Sequence, residues 1–404
     1  MRYRTEKRPV SRQTTRAAEE RRKAQLEKAR ESSELAHGPI DLPFLVLVIL
    51  LTGIGLVMLL SASFPSAYYE TNGKNPMFYF VRQGIFAIMG IAAMLFISKI
   101  NYQWFRRFAK PLLFVSVILL VFVLIPGVGL MRNNARRWLG IGELTFQPSE
   151  IAKVAIVVYF SDSISKKKDK MRTFRYGILP YALLLIVVAV LVGLEPHLSG
   201  AILIMGAGAA LMLVGGIQWR WVLGAVGAAA AMLYLVLGVI GYNASRIEMW
   251  HNPWADAQGA GYQLSQSLIS IGSGGLLGVG LGRSRQKFLF LPEEHNDFIF
   301  AIVCEELGLI GATMIMLLFA ALILRGYWIA LHARDRFGSL LVVGVITLIA
   351  LQTFLNIAVV TGLLPTTGIS LPFFSYGGTA LSIQLAEMGI VLSVSRQMKP
   401  TKAG

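Results

Sequence analysis

Charge is what this 404-residue chain has least of: 15% of its residues are charged, while 55% are hydrophobic. A water-soluble fold has no core large enough to hide that much apolar surface, so the balance requires lipid as the surrounding solvent. Acids are scarcer than bases, 22 against 38, for a formal charge of +16. That excess does not point to nucleic acid, because the bases cluster between apolar runs instead of covering one folded face. The lone cysteine, Cys304, lies inside an apolar run, which excludes an intramolecular disulfide and a thiolate metal cluster. Phosphate-binding GxxxxGK[ST], HExxH and GxSxG signatures are missing, and so is any soluble nucleotide-sugar domain. A donor substrate must therefore be presented by the membrane itself. The first 42 residues contain no short apolar stretch ending in a cleavage site, so the first apolar run is expected to act as an uncleaved anchor.

Apolar runs of about twenty residues predict helices near 43–64, 78–97, 109–127, 149–165, 176–194, 197–216, 221–241, 298–324, 338–362 and 375–395. The fold class that follows is all-α, a polytopic membrane protein with about ten transmembrane helices. With the N-terminus in the cytoplasm, 28 of the 38 Lys and Arg residues fall in the terminal tails and the inner connections. The positive-inside rule then puts both termini in the cytoplasm. Residues 1–42 form a basic, solvated tail, 43–396 the transmembrane domain and 397–404 a second short tail. The run Lys166-Lys167-Lys168-Asp169-Lys170 sets orientation, with anionic membrane lipid as an alternative partner.

The outer connections are unequal, and 242–297 is by far the longest, so function is to be sought there. It carries Gly272, Gly274, Gly275, Gly278, Gly280 and Gly282. A dinucleotide fold needs a strand before such glycines and a helix after, and neither is predicted. Close backbone packing at membrane depth, as in a re-entrant segment, is the better reading.

Three outer clusters carry chemistry. In the first, Asn134-Ala135-Arg136-Arg137-Trp138 is followed by Gln147-Pro148-Ser149-Glu150 and Lys153. Pro148 and Ser149 suit a helix start, which places Lys153 about one turn inside the membrane boundary. A lysine there needs a partner: Glu150 on the same face, or an anionic phosphate group shared with Arg136 and Arg137. In the second cluster, Glu293-Glu294-His295-Asn296-Asp297, three carboxylates crowd a short stretch. Crowding and partial burial should raise at least one pKa, as a general base working near neutrality requires, and Asp297 at the interface is best placed. Glu305 and Glu306 follow about 12–14 Å deeper, where a carboxylate marks a proton path, a ligand site or a buried pair, with Lys153 the expected partner. The third cluster runs from Gly362 to Gly378 and shapes backbone ahead of the last helix.

Together these stretches resemble the SEDS family (shape, elongation, division and sporulation), whose members include FtsW, RodA and SpoVE. The resemblance rests on Ala135-Arg136-Arg137-Trp138, Gln147 through Lys153, Asn252-Pro253-Trp254, Gly261-Tyr262-Gln263-Leu264, Ser267, Gly272-Ser273-Gly274-Gly275, Leu291-Pro292-Glu293 with His295 and Asp297-Phe298-Ile299-Phe300, Gly362-Leu363-Leu364-Pro365 and Ser375-Tyr376-Gly377-Gly378. These pieces occur in order over about residues 135 to 380. What it implies is a peptidoglycan glycosyltransferase that polymerises lipid II, a disaccharide-pentapeptide on undecaprenyl pyrophosphate, at the outer face of the bacterial cytoplasmic membrane. It also implies a class B penicillin-binding protein, a transpeptidase, as partner alongside other divisome proteins.

Within that resemblance Asp297 matches the essential outer-loop aspartate, and Arg136 and Lys153 match basic positions. The substrate-binding set it suggests is Arg136, Arg137, Trp138, Gln147, Ser149, Glu150, Lys153, Gln263, Ser267, Glu293, His295, Glu306 and Ser375. Where the family often has Gln-Pro-Asp-Leu-Gly-Thr, this chain has Glu195-Pro196-His197-Leu198-Ser199-Gly200, and Asn134 replaces a common glycine. Ser370 before Leu371-Pro372 favours the division or sporulation branches over the RodA-like one, and the basic N-terminal tail favours division, with septal synthesis, over sporulation. No cofactor is certain; Mg or Mn is the divalent cation such chemistry would use, but no ligand set is legible. Two rival functions stay open: a lipid II flippase, with Glu305, Glu306 and Lys153 as its pathway, and a non-catalytic scaffold for the transpeptidase.

Overall fold

The computed structural model describes residues 38–132, 135–141, 144–221, 223–224, 227 and 244–398. Most of the expected span at 221–241, Asn134, most of the basic N-terminal tail and most of the short C-terminal tail lie outside the described residues. Eleven α-helices are described: α1 Leu42–Glu70, α2 Phe78–Ile97, α3 Phe105–Leu124, α4 Pro148–Lys167, α5 Leu179–Leu194, α6 Leu198–Val214, α7 Ala244–His251, α8 Tyr262–Gly274, α9 Ile299–His332, α10 Arg336–Val360 and α11 Gly378–Ser395.

Among the described residues, seven helical segments are long and apolar enough to cross a membrane, namely α1, α2, Tyr102–Leu124, Phe174–Leu194, α9, α10 and α11. Two further expected spans are present as α4 and α6 but differ from the other seven. α4 carries Glu150, Lys153, Asp162, Lys166 and Lys167, and α6 has 17 residues. The chain is therefore an all-α multi-pass membrane protein, with α10 and α11 as its most enclosed spans and α2 and α3 turning most of their side chains outward. α11 runs along α2, where Gly90 and Gly389 allow the two backbones to approach.

Helix ends are fixed by local chemistry. Asp41 caps α1, accepting from the Phe44 amide at 3.0 Å, and also receives two hydrogen bonds from Arg325 on α9 at 3.1 and 2.8 Å. Asp335 caps α10 through the Gly338 amide at 2.8 Å and draws in Gln103 at 2.5 Å. α4 opens on Pro148, whose missing N–H is no loss in a first turn, with Glu150 as a first-turn acid favoured by the helix dipole.

Two features depart from the sequence reading. A three-stranded antiparallel sheet, β1 Leu130–Arg132, β2 Ala135–Ile141 and β3 Leu144–Phe146, stands at one end of the bundle. Its strands pair Arg132 with Ala135 and Leu139 with Phe146, and they are too short to imprint a hydrophobic alternation on the sequence. The long connection before α9 is also far from a plain loop, since it contains α7 and α8.

After α8 the glycine-rich stretch folds back against α9, as a re-entrant segment would. Gly308 breaks α9 at φ 66° and ψ −172°. The amides of Leu309 and Ile310 bond instead to Gly275 and Leu276 at 2.9 and 3.1 Å, while Val279 and Gly280 donate to the carbonyls of Glu305 and Glu306 at 2.9 and 3.1 Å. Two amides and two carbonyls beside the break thus find partners across the seam. A Cβ at Gly274, Gly278 or Gly308 would overlap backbone across this seam.

Candidate active site

At the end of the bundle that holds the sheet, a cavity of about 340 Å³ opens between β2, α4, the α5–α6 connection, the segment before α9, residues 368–370 and the start of α11. Its size falls in the range of small-ligand sites. Asp297 stands on one wall, and Arg82, Arg137 and Lys153 contribute three cations.

Each charge is positioned by its element. β2 brings Arg137 and Trp138 to the cavity. Arg137 is braced by the α5–α6 connection, donating through Nε to the Glu195 carbonyl at 3.1 Å and through its other end to the Pro196 carbonyl. Lys153, one turn into α4, pairs with Glu150 at 2.7 Å, and both side chains are buried. Glu387 of α11, also buried, is close enough to feel both. The expected pairing with Glu150 is therefore present, and Lys153 still borders the cavity.

Asp297 sits just before α9 on a stretch clamped from several sides. Asn356 of α10 donates to the Asp297 carbonyl at 2.7 Å and to the Ile369 carbonyl at 2.5 Å. Ser375 donates to the Asn296 carbonyl at 2.7 Å and accepts from the Leu371 amide at 2.7 Å, and the Tyr376 amide donates to the His295 carbonyl at 2.9 Å. Glu293 adopts φ 57°, a left-handed conformation costly for a side-chain-bearing residue, and accepts from Asn296 at 2.6 Å. Gly368, at φ 65°, lies against the carboxyl of Asp297, with an added Cβ only 3.2 Å from Oδ2.

This setting pushes the Asp297 carboxyl up to about 6. Burial is the main cause and the Glu293 charge adds to it, while Arg137 and His295 act in the opposite sense. A carboxyl near neutrality beside a cluster of cations can take a proton while negative charge develops close by. His197 also lines the cavity and is driven down to about 3 by burial and then by Arg137 and Lys153, so it carries no charge at neutral pH.

The sequence-derived set separates into two groups. Asp297, Arg137, Trp138, Gln147, Glu150, Lys153 and Glu293 all line the cavity. The others lie elsewhere: Arg136 is on β2 but not in the lining, and Ser149 is buried within α4's first turn. Ser267 donates to the Val360 carbonyl, Ser375 and His295 brace the Asp297 segment, and the Gln263 amide reaches only toward Pro292. Glu306 belongs to a different cluster.

The expected pairing of Glu305 or Glu306 with Lys153 is overturned. Glu306 bonds Lys287 at 2.9 Å and Ser61 at 2.7 Å. Glu305 accepts from Ser284 at 2.6 Å, Arg285 N at 2.8 Å and Ser270 at 3.0 Å. These acids tie the folded-back glycine segment to α9, away from the cavity.

Arg82 and Gln352, which carry no expectation from the sequence, also line the cavity, as do Asn296 and Tyr376, which belong to quoted motifs but not to the substrate-binding set. Arg82 was recoverable by the rule applied to Lys153, because it lies one turn inside an apolar helix. Among the described residues no three His, Cys, Asp or Glu side chains converge as a metal site; the cavity is lined by the carboxyls of Asp297, Glu293 and Glu150, the last paired with Lys153, and by the imidazole of His197.

Comparison with known proteins adds to this geometry. Residues 42–400 match the cell cycle protein family of FtsW, RodA and SpoVE. The chain is 44% identical over 363 residues to a probable peptidoglycan glycosyltransferase FtsW of Geobacter metallireducens, covering 89% of this chain and 96% of that one. It is 43% identical over 358 residues to stage V sporulation protein E of Bacillus subtilis, covering 88% and 97%. Among solved structures it resembles a chain from a peptidoglycan synthase complex that coordinates polymerization and crosslinking, with 27% identity, a TM-score of 0.75 and coverage of 89% and 98%. The rod shape determining protein RodA of Thermus thermophilus is similar at 27% identity and a TM-score of 0.67, covering 90% and 99%.

Proposed function

Because this chain belongs to the FtsW, RodA and SpoVE family of cell cycle proteins, we propose that its cavity is where lipid II is joined into glycan strands for septal wall synthesis. The chain is a multi-pass membrane peptidoglycan glycosyltransferase. The observation that carries the site assignment is the convergence on one cavity of Asp297, lifted toward neutrality, with Arg82, Arg137 and Lys153.

In the reaction, the 4-hydroxyl of one lipid-linked sugar attacks the anomeric carbon of another. A new C–O bond forms there as the bond to the pyrophosphate breaks, and the electron pair leaves with undecaprenyl pyrophosphate. Asp297 takes the hydroxyl proton, a contribution of roughly 10²–10⁴ in rate. Arg82, Arg137 and Lys153 offset the charge gathering on the pyrophosphate, with Glu150 holding Lys153 in place. The carboxylates of Asp297 and Glu293, together with substrate phosphate, suit a hard divalent ion such as Mg or Mn, which would supply further positive charge; no step here depends on it.

The cavity faces outward from the cytoplasmic membrane in this reading, so that lipid II reaches it from the outer leaflet. A class B penicillin-binding protein crosslinks the strand as it emerges, and other divisome proteins place the pair at the septum. The commitment of Glu305 and Glu306 to the glycine segment removes the carboxylates on which a transport path was expected to depend.

The test is glycan formation from purified lipid II by the detergent-solubilised protein, with and without a cognate transpeptidase. Wild type should make polymer, and Asp297→Asn, which keeps the shape but removes the base, should make almost none while still assembling with its partner. Near-normal turnover by the variant would remove Asp297 from the role of base.

A further inference from the structure

The motif connecting α5 to α6 places an imidazole in the cavity that the mechanism above does not use. His197 immediately precedes α6 and lines the cavity with Arg137, Lys153 and Asp297. Its Nδ1 is buried and has no hydrogen-bond partner among the described residues. The ring is seated by its own helix: it lies over Gly200, where a Cβ would overlap both Cδ2 and Nε2. Ser199, two residues beyond His197, donates to the Thr367 carbonyl and, at 3.3 Å, to that of Gly368. Gly368 in turn abuts the Asp297 carboxyl. His197 is thus held in register with the proposed base.

We propose that His197 is a substrate-binding residue that recognises the sugar next to the pyrophosphate, hydrogen-bonding one of its hydroxyl or acetamido groups, and that Gly200 is the residue that makes room for it. The proposal rests on the reading of this cavity as the lipid II site.

The chemistry favours a sugar over a phosphate. A neutral imidazole offers one donor and one acceptor, the pattern of a hydroxyl or an amide, whereas phosphate oxygens only accept. Burial with Arg137 and Lys153 beside it keeps His197 neutral, so those cations are left to hold the phosphates. Neighbouring Glu195 is held mostly neutral at pH 7: its carboxyl is buried, neither oxygen has a hydrogen-bond partner among the described residues, and burial lifts it to about 8 against the pull of Arg137.

Direct binding tests this on an Asp297→Asn background, where turnover is blocked. Adding His197→Ala should raise the Kd for lipid II about tenfold, the loss of one buried hydrogen bond. The Kd for undecaprenyl pyrophosphate, which has no sugar, should stay within about twofold. His197→Asn, which keeps an amide near the Nδ1 position, should recover most of the lipid II affinity. Gly200→Ala should weaken lipid II when His197 is present and add nothing once His197 is Ala.

An unchanged Kd for lipid II in the His197→Ala protein would overturn the proposal, and so would an equal loss for both lipids. The wild-type polymerisation assay separates this from the underlying reading. Selective loss of lipid II binding with no polymer from wild type leaves the sugar contact standing and removes the glycosyltransferase reading. Polymer from wild type with an indifferent His197 does the reverse, and absence of lipid II binding by any of the proteins defeats both.

Discussion

Asn356 holds the main-chain carbonyl of Asp297 at 2.7 Å and, with the same amide, that of Ile369 at 2.5 Å. One side chain on the deeply enclosed α10 thereby joins the segment carrying the proposed base to the loop on the other side of its carboxyl. Removing the amide leaves two buried carbonyls short of a donor, at about 1–3 kcal/mol each. Asn356→Leu should therefore lower glycan synthesis from lipid II by at least about tenfold and lower Tm as well. Asn356→Gln, with the amide displaced by one methylene, should lose activity with a smaller drop in Tm. Equal polymer yield from Asn356→Leu and wild type would show that the clamp does not position Asp297.

The pH profile follows from the Asp297 carboxyl. With its value near 6, the base is charged above that pH and protonated below it, so kcat/KM should fall on the acid side with a midpoint close to 6. Glu293 is one of the causes of the rise, so Glu293→Gln should move that midpoint to lower pH. Stability should run the other way. The native state holds this proton more tightly than the unfolded chain, for which the ordinary value is 3.8, so the buried charge destabilises the protein fully above pH 6 and progressively less down to about pH 4. Asp297→Asn should accordingly raise Tm at pH 8 and bring little change near pH 4. A variant with the same Tm offset at both pH values would contradict the burial of this charge.

Much of the site was legible because charge inside an apolar chain is conspicuous. Lys153 and Glu150 could be paired by helix spacing alone, and Asp297 stood out by its position just ahead of an apolar run. Lys287 could not be matched to Glu306 in the same way. The two lie 19 residues apart across a segment that doubles back, and the sequence signal was only a run of glycines. Motif membership points the hydroxyls of Ser267 and Ser375 toward substrate, whereas both donate to backbone carbonyls. Neither His197 nor the small sheet had a periodic signature, so only the fold could bring them to the cavity.

The Glu150–Lys153 pair separates structural from functional work. Breaking a buried pair by deleting one partner strands the other charge, a loss of about 3–5 kcal/mol, while replacing both with apolar groups can be close to neutral. Lys153→Met should thus lower Tm sharply, and Lys153→Met with Glu150→Leu should recover much of it. Polymerisation should not return with stability, because the missing cation is one of those facing the leaving pyrophosphate. A double variant as active as wild type would assign the pair to folding alone.

Gly308 offers a test remote from the cavity. Its φ of 66° and ψ of −172° suit glycine almost uniquely, and a Cβ there would overlap the Gly278 amide nitrogen and the Leu276 carbonyl of the returning segment. Gly308→Ala should therefore separate the seam from both sides. It should expose the amides of Leu309 and Ile310 and loosen the Lys287–Glu306 anchor, with a drop in Tm of several degrees, about 2–4 kcal/mol. Leu309→Ala, at the exposed neighbouring position, should change Tm little and serves as the control. Because the same segment leads from α8 into the 293–297 stretch, polymer yield in Gly308→Ala should fall further than Tm alone accounts for at the assay temperature. A loss of activity that is fully restored by assaying at lower temperature would confine Gly308 to stability.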